Sequence, residues 1–102
     1  MPIKTEIIDD TANIAINCDL DDEGAALLQA EFEEIRKNEA LRKLKIDFSK
    51  VQIIGSSGIG KLILFYKIFS VKNGEIILEN VSPVHKELFY SIKMDKLFKI
   101  TP

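Results

Sequence analysis

From Ile46 to Lys61 the chain reads Ile-Asp-Phe-Ser-Lys-Val-Gln-Ile-Ile-Gly-Ser-Ser-Gly-Ile-Gly-Lys, an apolar stretch that runs into glycines and serines and then into an apolar helix. A strand that turns through such a segment and re-enters as a helix is a βα unit, which points to an α/β fold. The same turn sets hydroxyls and backbone N–H groups at a helix N-terminus, where the dipole and the unpaired donors favour negative charge. It therefore suits a phosphate, either bound or covalently attached.

The flanking segments extend the α/β pattern. Ile3, Thr5 and Ile7 alternate with polar neighbours, Asp9-Asp10-Thr11 supplies a turn, and Ile14, Ile16 and Cys18 alternate again, so a β-hairpin opens the chain. Asp21 or Asp22 can cap the next element, a helix to about Asn38 with Ala25, Leu28, Phe32 and Ile35 on one face. Leu44, Ile46 and Phe48 mark a third strand. A helix follows from about Ser57 to Lys72, stopped by Asn73-Gly74, and Glu75–Glu79 reads as a buried strand. Ser82-Pro83 begins a third helix, and Leu97, Phe98 and Ile100 suggest a last short strand or tail. Crossovers of this length imply parallel pairing after the hairpin and hence a mixed sheet of four to five strands with about three main helices.

With 102 residues and no linker or repeat, residues 1–102 read as one domain. A net charge of −2 with no Lys/Arg cluster argues against nucleic acid. The longest apolar stretch, Ile59 to Val71, is interrupted by Gly60, Lys61, Lys67 and Ser70 and is shorter than the ~20 residues of a membrane span, so direct membrane insertion is not expected. The single cysteine cannot form an internal disulfide and the first residues lack a signal-peptide core, which makes the cytoplasm the default compartment.

Catalytic and metal sites are not expected. His85, the sole histidine, reads as exposed surface, no metal-ligand spacing exists, and Asp19, Asp22 and Glu23 read as helix-start charges. No cofactor is implied. From spacing alone, Ser56 and Ser57 are helix caps. On the second helix, Ile59, Leu62, Ile63, Tyr66 and Phe69 share one face, while Leu64 and Ile68 fall opposite them with Lys61 and Lys72, either against a neighbouring helix or as a partner patch.

Two known patterns fit the turn. Gly55 to Lys61 matches G-x-x-x-x-G-K, the front of a nucleotide-binding P-loop, but Leu62 stands where a magnesium-binding hydroxyl belongs. The longer match, Asp47-Phe-Ser-Lys-Val with Ser56-Ser57-Gly58-Ile59-Gly60, resembles the signature of STAS domains, the family of bacterial anti-sigma-factor antagonists. Cys18-Asp-Leu-Asp21 resembles that family's acidic turn, and Met94 to Ile100 its closing segment. Gly55 stands where many antagonists carry Asp, and Cys18 where glycine is common.

The resemblance implies an anti-sigma-factor antagonist without enzymatic activity. Its partners would be an anti-sigma factor that is also a serine kinase, and a PP2C-type phosphatase. Ser56 would be the phosphate acceptor, with Asp21 near it and Asp47 supporting the loop. Gly55, Ser57, Gly58, Ile59, Gly60 and Lys61 would form the rest of the recognition turn, and Leu64 and Ile68 a docking surface. Two alternatives stand beside this reading: an unphosphorylated STAS subunit scaffolding another complex, such as a transporter's, and a P-loop nucleotide-binding protein.

Overall fold

The computed structural model describes residues 2–102. Strands β1 (Ile3–Ile8) and β2 (Thr11–Ile16) form the opening hairpin, followed by α1 (Asp22–Ile35), β3 (Lys43–Asp47), α2 (Ser56–Ser70), β4 (Glu75–Glu79), α3 (Pro83–Ser91), a 3₁₀ turn (Met94–Lys96) and β5 (Lys99–Ile100). The strands form one sheet in the order β1-β2-β3-β4-β5. Only β1 and β2 pair antiparallel; the others pair parallel, giving the mixed sheet that the alternating pattern predicts.

The hairpin turn uses Asp9 at φ 55°, a left-handed conformation that the short polar side chain of aspartate tolerates better than most. Because each right-handed crossover steps to the next strand in sequence, all the helices lie on the same face of the sheet. That face carries Ala12, Ile14 and Ile16 of β2, Leu44 and Ile46 of β3, and Ile76 and Leu78 of β4, all buried in one core with Leu28, Phe32, Leu62, Phe65, Phe69 and Phe89 from the helices. The opposite face displays Lys4, Glu6, Asn13, Ala15, Lys45, Asp47 and Glu79 along an open groove.

The structure departs from the sequence reading in the helices. Helix α1 ends at Ile35, with Lys37 and Asn38 bonding as turns to Glu34 and Ile35. His85 is buried, contrary to the surface position expected of it. It sits one turn before Phe89 on the inward side of α3, so its imidazole serves as part of the apolar stripe. The buried arc of α2 comprises Gly58, Leu62, Phe65 and Phe69. Phe65, which the two-face reading left out of the core, stacks on Phe32 of α1 with ring centroids 4.1 Å apart and planes inclined by 17°. Helix α2 thus packs on both the sheet and α1, and Ile68 is half-buried against the core, the first of the two arrangements open to it. Ile7, at the far end of β1, is 46% exposed despite its alternation with polar residues.

The Phe32–Phe65 stack ties together the two helices that border the glycine-serine turn. Phe65→Ala should cost about 3–5 kcal/mol of stability, measurable by denaturant unfolding with an unchanged m-value.

Candidate functional site at the paired helix starts

After β2 and after β3 the chain leaves the sheet at the same end, and the two exits are tied together through the backbone. The Leu20 N–H donates to the Ile53 carbonyl at 2.8 Å and the Gly55 N–H to the Leu20 carbonyl at 2.8 Å, an isolated parallel bridge between Leu20 and Ile54. Asp19 reinforces it: one carboxylate oxygen accepts the N–H groups of both Gln52 and Ile53 at 3.1 Å. Helices α1 and α2 therefore begin side by side.

Asp21 is the N-cap of α1 and accepts the Gly24 N–H at 2.9 Å. The N-cap of α2 is Gly55, in extended conformation and without a capping side chain, so the cap role expected of Ser56 and Ser57 falls to neither. Ser56 is the first residue of the helix and exposed. Ser57 is half-buried, and its hydroxyl donates to Asp22 across the gap between the helices. The closeness of α2 to the α1 side depends on glycine: a Cβ on Gly58 would lie 2.9 Å from Leu20 Cδ2 and 3.1 Å from the Leu20 carbonyl oxygen. At Gly55 a Cβ would meet the Leu20 oxygen at an ordinary 3.5 Å and the Asp21 Cα at 4.0 Å. That position has room for a side chain, and it places Asp21 beside the turn.

Of the remaining residues singled out from the sequence, Gly60, Lys61 and Leu64 line a shallow depression of about 440 Å³ with Asp22, Ala25, Ala26 and Ser57. Ile59 packs partly against the core, and Ile68 lies about 18 Å along the helix from Ser56, in a separate depression with Arg36, Arg42 and Lys72. The structure thus brings together Asp21 and Gly55 to Lys61, with Leu64 at the border and Ile68 apart. Sequence reasoning missed three contributors: Asp19, Asp22 as the acceptor for Ser57, and Ile53, which is 60% exposed beside the turn. The doublet Ile53-Ile54 held the signal for the last, since adjacent side chains of an extended segment point to opposite sides.

The electrostatics follow from the same geometry. Burial pushes the Cys18 thiol up, and the nearby carboxylates of Asp21, Asp19 and Glu23 push it further. Asp47 feels the upward pull of burial, but hydrogen bonds from Asn80 and Ser49 and the charge of Lys50 outweigh it and hold the carboxyl below its ordinary range. Its bonds to the Ser49 N–H and to Asn80 Nδ2, both 2.9 Å, join the ends of β3 and β4. The geometry does not suit a phosphate-cradling loop. Ser56 to Lys61 all lie within α2, and the Ile59 N–H is already committed to the Gly55 carbonyl at 3.2 Å.

The STAS domain family model matches residues 2–102. The chain belongs to the STAS domain family. Among sequence relatives, the anti-sigma F factor antagonist of Paenibacillus polymyxa is 27% identical over 90 residues, covering 87% of this chain and 74% of that protein. Among solved structures, an anti-sigma factor antagonist from Mycobacterium paratuberculosis superposes with a TM-score of 0.84 at 21% identity, over 98% of this STAS domain and 84% of that chain. The Bacillus protein SpoIIAA, solved unphosphorylated and phosphorylated, gives 0.77 at 19% identity in both forms, over 98% of this chain and 86% and 91% of the two. These likenesses establish the fold. Among the described residues, no helix is long and apolar enough to cross a membrane and no group of His, Cys, Asp and Glu is placed to hold a metal ion.

Asp19 is the side chain that closes the tie between the two exits. Asp19→Ala removes the acceptor that two exposed N–H groups share, which water can replace only in part, and should cost about 0.5–1.5 kcal/mol. Hydrogen exchange at Gln52 and Ile53 should accelerate ahead of exchange in β3.

Proposed function

We propose that this STAS domain is an anti-sigma-factor antagonist that acts by regulated binding, not catalysis. In this reading the unphosphorylated chain captures an anti-sigma factor that is also a serine kinase, freeing the sigma factor. The kinase phosphorylates Ser56 and a PP2C-type phosphatase reverses the modification. The observation that carries the reading is the position of Ser56: an exposed hydroxyl on the first residue of α2. Two exposed apolar side chains lie at the same end of the molecule: Ile53, three residues before it, and Leu64, about 12 Å further along α2, at 60% and 36% exposure. A hydroxyl there is open to a kinase, and the surface around it offers apolar contacts to a partner.

The name of the Paenibacillus relative supports the choice of partner class. A phosphate on Ser56 would add about 1.5–2 negative charges and three acceptor oxygens at the centre of that surface. The helix dipole tolerates the charge in the free protein. A docked partner would have to bury or repel it, and that difference makes a switch.

Ser56→Ala should bind the cognate anti-sigma factor within a fewfold of the parent, because Ser56 makes no cap bond to lose. Ser56→Asp should bind at least about tenfold more weakly, with thermal unfolding of both variants near the parent's. Calorimetry decides it, and parental affinity in Ser56→Asp sinks the switch. Incubation with that kinase and ATP should label Ser56 alone in phosphopeptide mass spectra.

A further inference from the structure

Strand β1 is an edge of the sheet. The Asn17 N–H donates to the Pro2 carbonyl at 2.6 Å, continuing the register in which Ile3 pairs with Ile16 and Lys4 with Ala15. Bonded pairs alternate along an antiparallel ladder. Lys4, Glu6 and Ile8 therefore bond to β2, whereas Ile3, Thr5 and Ile7 turn their N–H and C=O groups outward. Natural edges are blunted by an internal proline, a bulge, charges that repel an incoming strand or a covering loop. From Ile3 to Ile8 there is no proline, and the register with β2 is unbroken.

The charges on this edge are placed symmetrically with opposite sign about Thr5, in the run Ile3-Lys4-Thr5-Glu6-Ile7. We propose that β1 pairs antiparallel with β1 of a second copy of this chain, about a two-fold axis at Thr5. In that register Lys4 stands opposite the partner's Glu6, Glu6 opposite the partner's Lys4, and Ile3 opposite the partner's Ile7. Each outward residue exchanges both backbone hydrogen bonds with its counterpart. Lys4 and Glu6 fall in the non-bonded pairs, where opposed side chains come closest. Moving one strand by two residues, the smallest step that keeps every side chain on its own face, sets Lys4 against the partner's Lys4 or Glu6 against the partner's Glu6. The charges thus select one register and reject its neighbours.

One further observation agrees. Ile7, left 46% exposed by the monomer, gains the partner's Ile3 as its cross-strand neighbour. Directly opposed residues of an antiparallel pair point to one face, so both helical layers lie on the same side of a continuous sheet. The pairing uses no residue of the helix-start surface, leaving Ser56 accessible in both copies.

Sedimentation equilibrium of the full chain over a range of concentrations tests this. The parent should form a reversible dimer. Lys4→Glu and Glu6→Lys each set like charges opposite one another and should raise the dissociation constant about tenfold or more. An equimolar mixture of the two variants should associate again, as should the double variant, because each arrangement restores an acidic side chain opposite a basic one. Thr5→Pro removes an outward N–H while leaving the bonds to β2 in place, and should give a folded monomer by thermal unfolding. A parent that stays monomeric to about 1 mM overturns the proposal. So does a dimer indifferent to both charge variants, or a mixture of the two that fails to associate.

Discussion

The bridge between Leu20 and Ile54 is the interaction on which the site depends. A parallel sheet by itself brings strand ends to a common edge, but it does not fix how the chain leaves them. Here two backbone hydrogen bonds and the doubly accepting Asp19 carboxylate lock the exit after β2 to the exit after β3. Both helices consequently start from a shared origin, and Gly58 lets α2 approach Leu20 more closely than any side-chain-bearing residue would.

Two helix N-termini at one place concentrate positive dipole ends, yet the pair is treated unequally. Helix α1 has Asp22 and Glu23 in its first turn and Asp21 as its cap, so its donors and dipole are answered. Helix α2 has no acidic residue in its first turn and no capping side chain. The Ser56 hydroxyl stands at the end that is left unanswered, with carboxylates of α1 nearby. A negative group added there gains from one helix and is repelled by the residues of the other, which keeps its net cost sensitive to what covers it.

Much of the fold was legible because strands and helices differ in period and this chain keeps to both. Leu44, Ile46 and Phe48 alternate, and Glu75–Glu79 is bounded by turn residues on each side, so these elements could be placed from local pattern alone. Ser56 and the turn were legible through the family signature. What could not be read were contacts between segments remote in sequence. Asp19 meets Gln52 and Ile53, and Asp22 meets Ser57, at separations of more than thirty residues; nothing local distinguishes those carboxylates from ordinary helix-start charges. His85 was misplaced for a related reason. Polarity suggested an outward imidazole, and of the two arrangements open to the second face of α2 the structure takes the packing against α1, which also draws in Phe65.

Strand order that follows chain order has a kinetic meaning. Each crossover adds the next strand to the edge just completed, and each parallel pairing must first close a loop of about thirty residues, as from Thr11 to Lys43 and from Lys43 to Glu75. The hairpin alone forms from neighbours in sequence, with six pairs joined through a two-residue turn. Only the last contact closes the other edge: Thr101 donates to the Leu78 carbonyl and accepts from Val81, seating the two residues of β5 after everything else has a surface to receive them. With two residue pairs holding β5 against six in the hairpin, the β5 end is the weakly anchored margin of the sheet, the kind of place where local opening costs least.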